Sequence, residues 1–192
     1  MAGNNAGEIR VAGAGRILVA PVGTTAPTDV TTAWAAAWKD LGYTSVDGIK
    51  LSKKDKLDPV ETWQSVSPAR FIYSDRDLTL KFQMLQLNED TLPFFMGGDA
   101  TAETATSSGI YKYDLSSEPK FNEKALGVEF TDGSAITYRF IVARGQVTDT
   151  EELSLTRTSS IKLGVTFTAL SVDSTKPLAT FLMKDPAYST AS

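Results

Sequence analysis

The chain has 192 residues, of which 42% are hydrophobic and 22% charged, which is the size and composition of a single soluble globular domain. Because 19 basic residues accompany 23 acidic ones, the chain lacks the basic excess of a protein that wraps nucleic acid. It contains no cysteine and no histidine, which excludes disulfides, thiolate metal sites and the commonest general base, and so disfavours an enzyme.

The sequence predicts neither a targeting segment nor a membrane segment. Residues 1–7 are polar and lack the basic start and apolar stretch of a signal peptide. The longest weakly charged stretch, residues 17–38, is interrupted by Pro21 and Pro27 and cannot form a spanning helix. We therefore expect a protein that is made and kept in a cytoplasm.

The first third of the chain predicts a polar arm, one strand and one helix. Residues 1–10 form the arm, and residues 9–20 alternate loosely and end in an apolar strand. Residues 32–41 predict a helix of about three turns, because Trp34 and Trp38 recur at helical spacing and a glycine follows the end. We expect the two tryptophans to be core or interface anchors rather than a stacking platform.

Residues 43–69 have no clean hydrophobic period. Lysines and aspartates cluster over residues 50–58, and Pro59 and Pro68 lie near the end of the segment. Because a structureless stretch of this length is uncommon inside a compact domain, it predicts a long functional arm. A mobile surface loop with a solvated charge run is the open alternative.

From residue 70 the pattern becomes a strict alternation. Leu78, Leu80, Phe82 and Met84 point to one side of a strand, and the residues between them are polar. Residues 88–98 predict a short helix with Asn88 or Asp90 as its cap and a glycine pair at its end. Residues 99–109 are predicted to be turn-rich.

The C-terminal half predicts a run of strands. Residues 127–130 and 135–147 flank an Asp-Gly turn, which is a strong hairpin signal. Two further strands are predicted over residues 152–157 and 161–172, followed by an ambiguous C-terminal arm over residues 173–192. The fold class is therefore mainly β, of the β-sandwich or barrel type, with one or two short helices and a long loop.

The lengths of two predicted strands and one shared polar face favour assembly. Runs 70–87 and 135–147 exceed the usual strand, and 13 residues reach roughly 43 Å, as in a sheet shared by several subunits. The outward residues are small and mostly uncharged; they are Thr79, Lys81, Gln83, Ser154, Thr156, Lys162, Gly164, Thr166 and Thr168. Such a face suits water or a lumen, and an ordinary solvent face is an equally good interpretation.

Motifs with chemical potential do not form a catalytic set. Gly13-Ala14-Gly15 lacks the third glycine and the helix of a dinucleotide loop. Two Ser-x-x-Lys matches begin at Ser117 and Ser159, but a proline interrupts the first and a strand pattern holds the second. No catalytic residue, cofactor site or metal site is predicted.

The order and spacing of several segments carry a family resemblance over about residues 10–172. These segments are Gly15 to Thr24, Pro27 to Asp29, Leu41 to Ser45, Asp47 to Ile49, Trp63, Pro68 to Arg70, Leu87-Asn88 and the C-terminal strands. Together they resemble the major tail tube protein of long-tailed, siphovirus-type bacteriophages, particularly those that infect actinobacteria.

The resemblance implies one tail tube domain over residues 1–192, without the immunoglobulin-like domain that some relatives carry. It implies homohexameric rings that stack into a hollow virion tail, assembled in the host cytoplasm and used for genome ejection. The implied partners are a tape measure protein in the lumen, tail terminator and distal tail proteins at the ends, and double-stranded DNA in passage. No cofactor and no membrane are implied.

Two sets of residues follow as predictions from this structural hypothesis. The polar residues above, apart from Gly164, would face the lumen, with acidic neighbours offsetting Lys81 and Lys162. The inter-subunit loop would use Asp47, Gly48, Ile49, Lys50, Lys53, Lys54, Lys56 and Trp63. The alternatives are a β-sandwich decoration or receptor-binding protein of a virion, and an enzyme with carboxylate chemistry only.

Overall fold

The computed structural model describes residues 3–97, 103–107, 110–118, 120 and 122–188, and it is mainly β, as predicted. The strands are β1 (Ala14–Pro21), β2 (Lys39–Asp40), β3 (Lys50–Thr62), β4 (Ser65–Met84), β5 (Glu103–Ser107), β6 (Ile110–Tyr113), β7 (Lys124–Asp132), β8 (Ile136–Thr150), β9 (Leu163–Ala169) and β10 (Thr180–Lys184). One α-helix, α1 (Thr91–Met96), and two 3-10 turns, Ala6–Glu8 and Pro186–Tyr188, complete the described chain. None of its helices has the length and apolar character needed to cross a membrane.

Eight of the strands form one antiparallel sheet in the order β2-β1-β7-β8-β9-β4-β3, with β10 beside β8. The remaining strands, β5 and β6, pair with each other. The sheet curls until it meets itself, because the Leu41 N–H donates to the Ile17 carbonyl and the Ser45 N–H donates to the Gln83 carbonyl, both at 2.9 Å. Residues 41–45 therefore join β1 to β4 and give the sheet a barrel-like closure, outside which β3 remains an edge strand.

The main core lies inside this curled sheet. Leu78, Leu80, Phe82 and Met84 are all buried, which confirms the inward face predicted from their alternation. The Phe94 ring of α1 lies 6.2 Å from the fully buried Phe167 ring, which belongs to β9. The helix thereby caps one side of the core.

A second, smaller core lies on the outer face of β1, β7 and β8. Residues 22–38, which we call the tryptophan loop, cover this face, and Trp38 packs there with Leu18, Ala125 and Ile141. The Trp34 and Trp38 rings meet edge to face at 4.8 Å. Both tryptophans are therefore anchors within the subunit, which is the first of the two predicted roles, core anchor or interface anchor.

The helix predicted over residues 32–41 is wrong, because this segment has no helix in the structure. The Trp34 indole donates to Glu129 at 3.0 Å and the Trp38 indole donates to the Thr25 carbonyl at 3.1 Å. Lys39 and Asp40 then pair with β1. A three-turn helix is marginal alone, so these tertiary bonds determine the conformation.

The irregular loop predicted over residues 43–69 is also wrong, because most of it belongs to a β-hairpin of β3 and β4. Both faces of this hairpin are largely exposed, so the sequence shows no alternation of apolar and polar residues. Pro59 is tolerated because β3 is an edge strand of the sheet.

The other predicted elements have mixed outcomes. The short helix is confirmed as α1, and the Asn88 side chain accepts hydrogen bonds from the N–H groups of Asp90 and Thr91. The Asp-Gly hairpin is confirmed, with Gly133 at φ +65.

The strand predicted over residues 152–157 is wrong: Leu155 is exposed and residues 151–162 contain no strand. The turn-rich segment 99–109 lies partly outside the described residues, and the described part, 103–107, is β5.

Candidate functional site

The most conspicuous surface feature is an arm formed by the distal parts of β3 and β4. Leu78, opposite Lys53, is the last core residue on β4 before the chain leaves the barrel. From Leu78 to Ser65 the strand extends for about 43 Å at 3.3 Å per residue. Residues 61–77 are all exposed. Within the described part of the chain, the two strands pair along this length only with each other.

One face of the arm is apolar. Leu57 lies opposite Tyr73, and Pro59 lies opposite Phe71; these four residues form what we call the apolar arm face. The register shift between Lys56 and Leu57 places them on the face that carries Leu78 and Leu80 in the barrel. The core face of the hairpin thus continues beyond the core, with Phe71 58% and Tyr73 71% exposed.

A charged cluster links the two strands where the arm leaves the barrel. The Arg76 guanidinium donates to Asp55 at 2.7 Å, and the Lys53 ammonium lies 2.7 Å from the same carboxylate. The hydrogen bond from Arg76, aided by Lys53, lowers the pKa of Asp55 and in turn raises the pKa of Arg76. Arg76 also lies 5.8 Å above the Tyr73 ring, so the cluster fixes the register of the arm.

The tip of the arm is a two-residue connection, Trp63-Gln64. Neither residue has a positive φ, and neither belongs to the Gly, Asn and Asp set that tight turns favour. Trp63 is 100% and Val66 107% exposed. A fully exposed tryptophan that the turn does not require is typical of a contact surface.

The residues predicted for the inter-subunit loop are distributed along this arm and its base. Asp47, Gly48 and Ile49 precede β3, with Gly48 at φ +64. Lys50, Lys53, Lys54 and Lys56 lie on β3, and Lys56 is 3.8 Å from Asp58. The structure therefore brings the predicted set onto one extended element, while its contact with another subunit stays a prediction.

Five of the predicted lumen residues share one face of β4 and β9, which we call the polar sheet face. Thr79 lies opposite Thr168, Lys81 opposite Thr166, and Gln83 opposite Gly164. This face is the reverse of the one that carries Leu80 and Phe167 into the core. The neighbouring β8 adds Thr148, whose hydroxyl is 2.8 Å from that of Thr168.

The other three predicted lumen residues lie outside the strands. Ser154, Thr156 and Lys162 belong to the irregular segment 151–162, so they are not part of the polar sheet face. Among the residues that the structure describes, neither Lys81 nor Lys162 forms a salt bridge. An acidic side chain does lie nearby, because Glu151 accepts a hydrogen bond from Gln83 at 2.6 Å; the offset of the two lysines stays a prediction.

Sequence reasoning missed a buried clasp between the two ends of the chain. The Arg10 Nε donates to Asp185 Oδ2 at 2.5 Å, and the Tyr138 hydroxyl donates to the same carboxylate. Arg10, and then Tyr138, hold the pKa of Asp185 well below its usual range, although burial opposes them. The separation of 175 residues between Arg10 and Asp185 leaves no local pattern that predicts this clasp.

A second cluster missed by the sequence holds the tryptophan loop in place. The buried Arg139 Nε donates to Glu129 Oε2 at 2.5 Å and its Nη1 donates to the carbonyls of Asp29 and Thr32. Burial raises the pKa of Glu129, but the bonds from Trp34 and Arg139 outweigh it and leave this pKa below the usual value. These interactions are structural.

The described residues contain no group of three or more His, Cys, Asp or Glu side chains placed to hold a metal ion. The arrangement is instead that of contact surfaces: an arm with an apolar face, an exposed aromatic tip and a broad polar sheet face. The family model described as phage tail tube protein matches residues 1–192 of the chain. No curated protein matches the chain.

Proposed function

Because the chain belongs to the phage tail tube protein family, we propose that it forms homohexameric rings that stack into the hollow tail tube of a siphovirus-type phage. The family is structural, and membership implies a component of the virion tail whose subunits assemble into a tube. The proposal goes beyond family membership in three points: the six-fold ring symmetry, the siphovirus type of the phage and the passage of the genome through the lumen.

The observation that carries the proposal is the arm. A two-stranded hairpin is marginally stable in water when no third strand or core supports it. This arm also exposes Leu57, Phe71 and Tyr73 on one face, and a contiguous apolar surface of this kind is a mark of a protein contact. Packing against another copy would stabilise the hairpin and bury that face.

The polar sheet face supports the lumen part of the proposal. Its residues are threonines, a glutamine, a glycine and one lysine on adjacent strands. Double-stranded DNA carries a charge for about every 1.7 Å of its axis, so a strongly basic lumen would bind it tightly. A wall that is mostly neutral and polar would let the genome slide.

The proposed partners follow from the tube. A tape measure protein would occupy the lumen during assembly, and tail terminator and distal tail proteins would bind the two ends, all in the host cytoplasm. A decoration or receptor-binding protein, the alternative structural role, would work as a stable monomer or trimer. In its monomeric form, that alternative leaves the exposed apolar arm face without an occupant.

The test is electron microscopy of the purified protein across a concentration series, with an arm-truncated variant beside it. In that variant an Asn-Gly turn replaces residues 55–76 and joins Lys54 to Asp77, which lie opposite each other. The full chain should give tubes of uniform width with a central channel and six-fold end views. The truncated chain should unfold at nearly the same temperature but remain monomeric.

Two results would contradict the proposal. Compact particles of the full chain at every concentration, with tail end proteins added as initiators, would favour a decoration protein. Normal tubes from the truncated chain would remove the arm from assembly. A variant with the Asp55 and Arg76 side chains exchanged keeps the arm and its ion pair, and it is the matched control that should still form tubes.

A further inference from the structure

A cavity of about 400 Å³ lies at the base of the arm, where β3 and β4 leave the barrel. Its lining is mainly apolar and aromatic, and includes Leu51, Leu80, Phe130, Phe140 and Phe181. Residues 44–46, with Gly48 and Ile49, form the loop at its edge. An apolar cavity of this size accommodates a large side chain and carries few polar groups that would select one.

Ser45 is the polar residue that distinguishes this cavity. It is 94% buried, its N–H donates to the Gln83 carbonyl at 2.9 Å, and its carbonyl accepts from the Gly48 N–H at 3.0 Å. Its hydroxyl oxygen, in contrast, is buried without a hydrogen-bond partner. Native proteins rarely leave such a group unpaired. This oxygen has almost no accessible surface, so a group in the cavity reaches it only when the Ser45 side chain turns toward the cavity.

Trp63 can supply that group. Its side chain is fully exposed at the tip of the arm, and the turn geometry gives no reason for a tryptophan there. The indole has a large apolar body and a single N–H, which can only donate. A serine hydroxyl can accept that bond.

Resting on the proposed function, we propose that Trp63 of one copy inserts into the cavity of a neighbouring copy. The Ser45 side chain then turns toward the cavity, and its Oγ accepts a hydrogen bond from the indole N–H. The bond cannot form within one subunit, because Leu51 lines the cavity and Thr62, at the tip, is 11 residues further along β3. That separation is about 36 Å along a paired strand.

The contact is heterologous, since the tip and the cavity are different surfaces of the same chain. A heterologous contact repeats from copy to copy and produces a closed ring or an open stack. Both geometries occur in a tube of stacked rings, so the inference deepens the proposed function without depending on a choice between them.

Site-directed crosslinking tests the pairing directly, because the chain has no cysteine. Val46 lines the cavity and is itself fully exposed, so Val46→Cys places a thiol at its mouth. Trp63→Cys and Val46→Cys proteins are mixed, each with an excess of wild type, and treated with a short thiol-specific linker. A covalent 63–46 pair, identified by peptide mass, is the expected product.

The control mixture replaces Val46→Cys by Thr158→Cys, which is exposed on the irregular segment 151–162. That mixture should give no more 63–158 product than a sample without the linker. Equal yields from the two mixtures, or no 63–46 product in samples that contain assembled protein, would overturn the pairing.

A double-mutant cycle tests the hydrogen bond. Trp63→Ala should raise the critical concentration for assembly at least about thirtyfold, the effect of losing an interface hot spot. Trp63→Phe, which keeps a smaller aromatic body but loses the N–H, should raise it less than Trp63→Ala does. In Ser45→Ala the effect of Trp63→Phe should be smaller than in wild type, because only the packing loss remains. An unchanged critical concentration for Trp63→Ala would overturn the proposal.

The two proposals fail in different ways. Tubes without the 63–46 product would refute the insertion of Trp63 and leave the tube function standing. A 63–46 product in small oligomers that never extend would support the pairing and refute the tube. If neither tubes nor the 63–46 product form in the presence of initiator proteins, both the tube function and the insertion of Trp63 are refuted.

Discussion

Gly127 lies where the tryptophan loop packs directly on the sheet. A Cβ built at this position overlaps the Trp34 ring and comes within 3.2 Å of the Trp38 ring. The sequence predicted the two tryptophans as anchors, but it gave no indication that their partner surface needs a glycine. Contacts between residues about 90 positions apart leave no local pattern.

Gly127→Ala is therefore expected to destabilise the fold. The added methyl forces the tryptophan rings away from β7, and overpacking of this kind costs about 1–3 kcal/mol of unfolding free energy. Urea unfolding followed by tryptophan fluorescence measures the change. Gly13→Ala is the matched control, because a Cβ there meets only the Thr131 carbonyl, at 3.8 Å; equal losses for the two variants would show that the packing argument is wrong.

Asp185 gives a pH-dependent prediction at the same scale. The bond from Arg10 holds its folded-state pKa below the value near 3.9 of an unfolded aspartate. The group therefore contributes stability above about pH 4, and this contribution is lost as the pH falls through the folded pKa. Asp185→Asn should destabilise the protein at pH 7, and the difference from wild type should shrink below about pH 4.

Unfolding free energies of wild type and Asp185→Asn between pH 2 and pH 7 measure this effect. Asp29 also has a lowered pKa, because hydroxyl and N–H groups of Thr31 and Thr32 donate to it. Asp29→Asn therefore controls for a general acid effect, since it changes the acid dependence but leaves the clasp intact. A wild-type advantage over Asp185→Asn that stays constant with pH would mean that the ion pair does not stabilise the clasp.

At the scale of elements, a strand could be predicted from the sequence where one of its faces is buried. The alternation in β4 from Leu78 to Met84 was readable because one face is buried and the other is polar. β3 and the first residues of β4, up to residue 69, are largely exposed on both faces, so they lack alternation and were predicted to be a loop. The strand was predicted only from residue 70. The arm is thus the part of the candidate site that a periodicity argument recognises least.

The same argument explains the two other wrong elements. The tryptophan loop has helical spacing, but bonds from its side chains to Glu129 and Thr25 determine its path. In the segment 152–157, Leu153 packs against the core while Leu155 stays exposed. Alternation over so few residues does not make a strand without a neighbouring edge to pair with.

The apolar arm face gives a prediction for one element. Phe71→Ser combined with Tyr73→Ser should leave the unfolding free energy of the monomer within about 0.5 kcal/mol, because both residues are exposed. The critical concentration for assembly, measured by sedimentation, should rise at least about tenfold because interface contact area is lost.

Ile72→Ser is the control on the same strand. Ile72 lies opposite Asp58, on the other face of the arm, and is similarly exposed. Its replacement removes apolar surface without touching the apolar arm face. An equal effect of Ile72→Ser on assembly would mean that the arm does not bind through the face assigned here.

At the scale of the whole molecule, one strand connects the two candidate surfaces. β4 carries the polar sheet face on residues 79–83 and the apolar arm face on Phe71 and Tyr73. The polar sheet face was predicted in part, since Thr79, Lys81 and Gln83 alternate with core residues. Ser154, Thr156 and Lys162 were predicted to face outward from strands over residues 152–157 and 161–172, but residues 151–162 contain no strand.

Added charge on the polar sheet face tests its place in the tube. If this face lines the lumen, replacing Thr79 and Thr166 by lysine adds two cations per subunit beside Lys81, since Thr166 lies opposite Lys81. Each ring then presents a band of cations to the DNA, and binding that neutralises phosphates weakens steeply with salt. Phage particles carrying the variant should have normal tails but eject DNA at least about tenfold more slowly at low salt, with recovery as salt is raised.

A variant with lysine at Ser116 and Thr158, both exposed and outside this face, adds the same charge elsewhere and should eject DNA at the wild-type rate. Ejection is followed by a DNA-binding dye after addition of purified receptor. A slow phase that salt does not relieve would indicate a defect in the tube itself. Wild-type rates for the Thr79 and Thr166 variant at every salt concentration would place the polar sheet face outside the lumen, because cations along the path of the genome must interact with its phosphates.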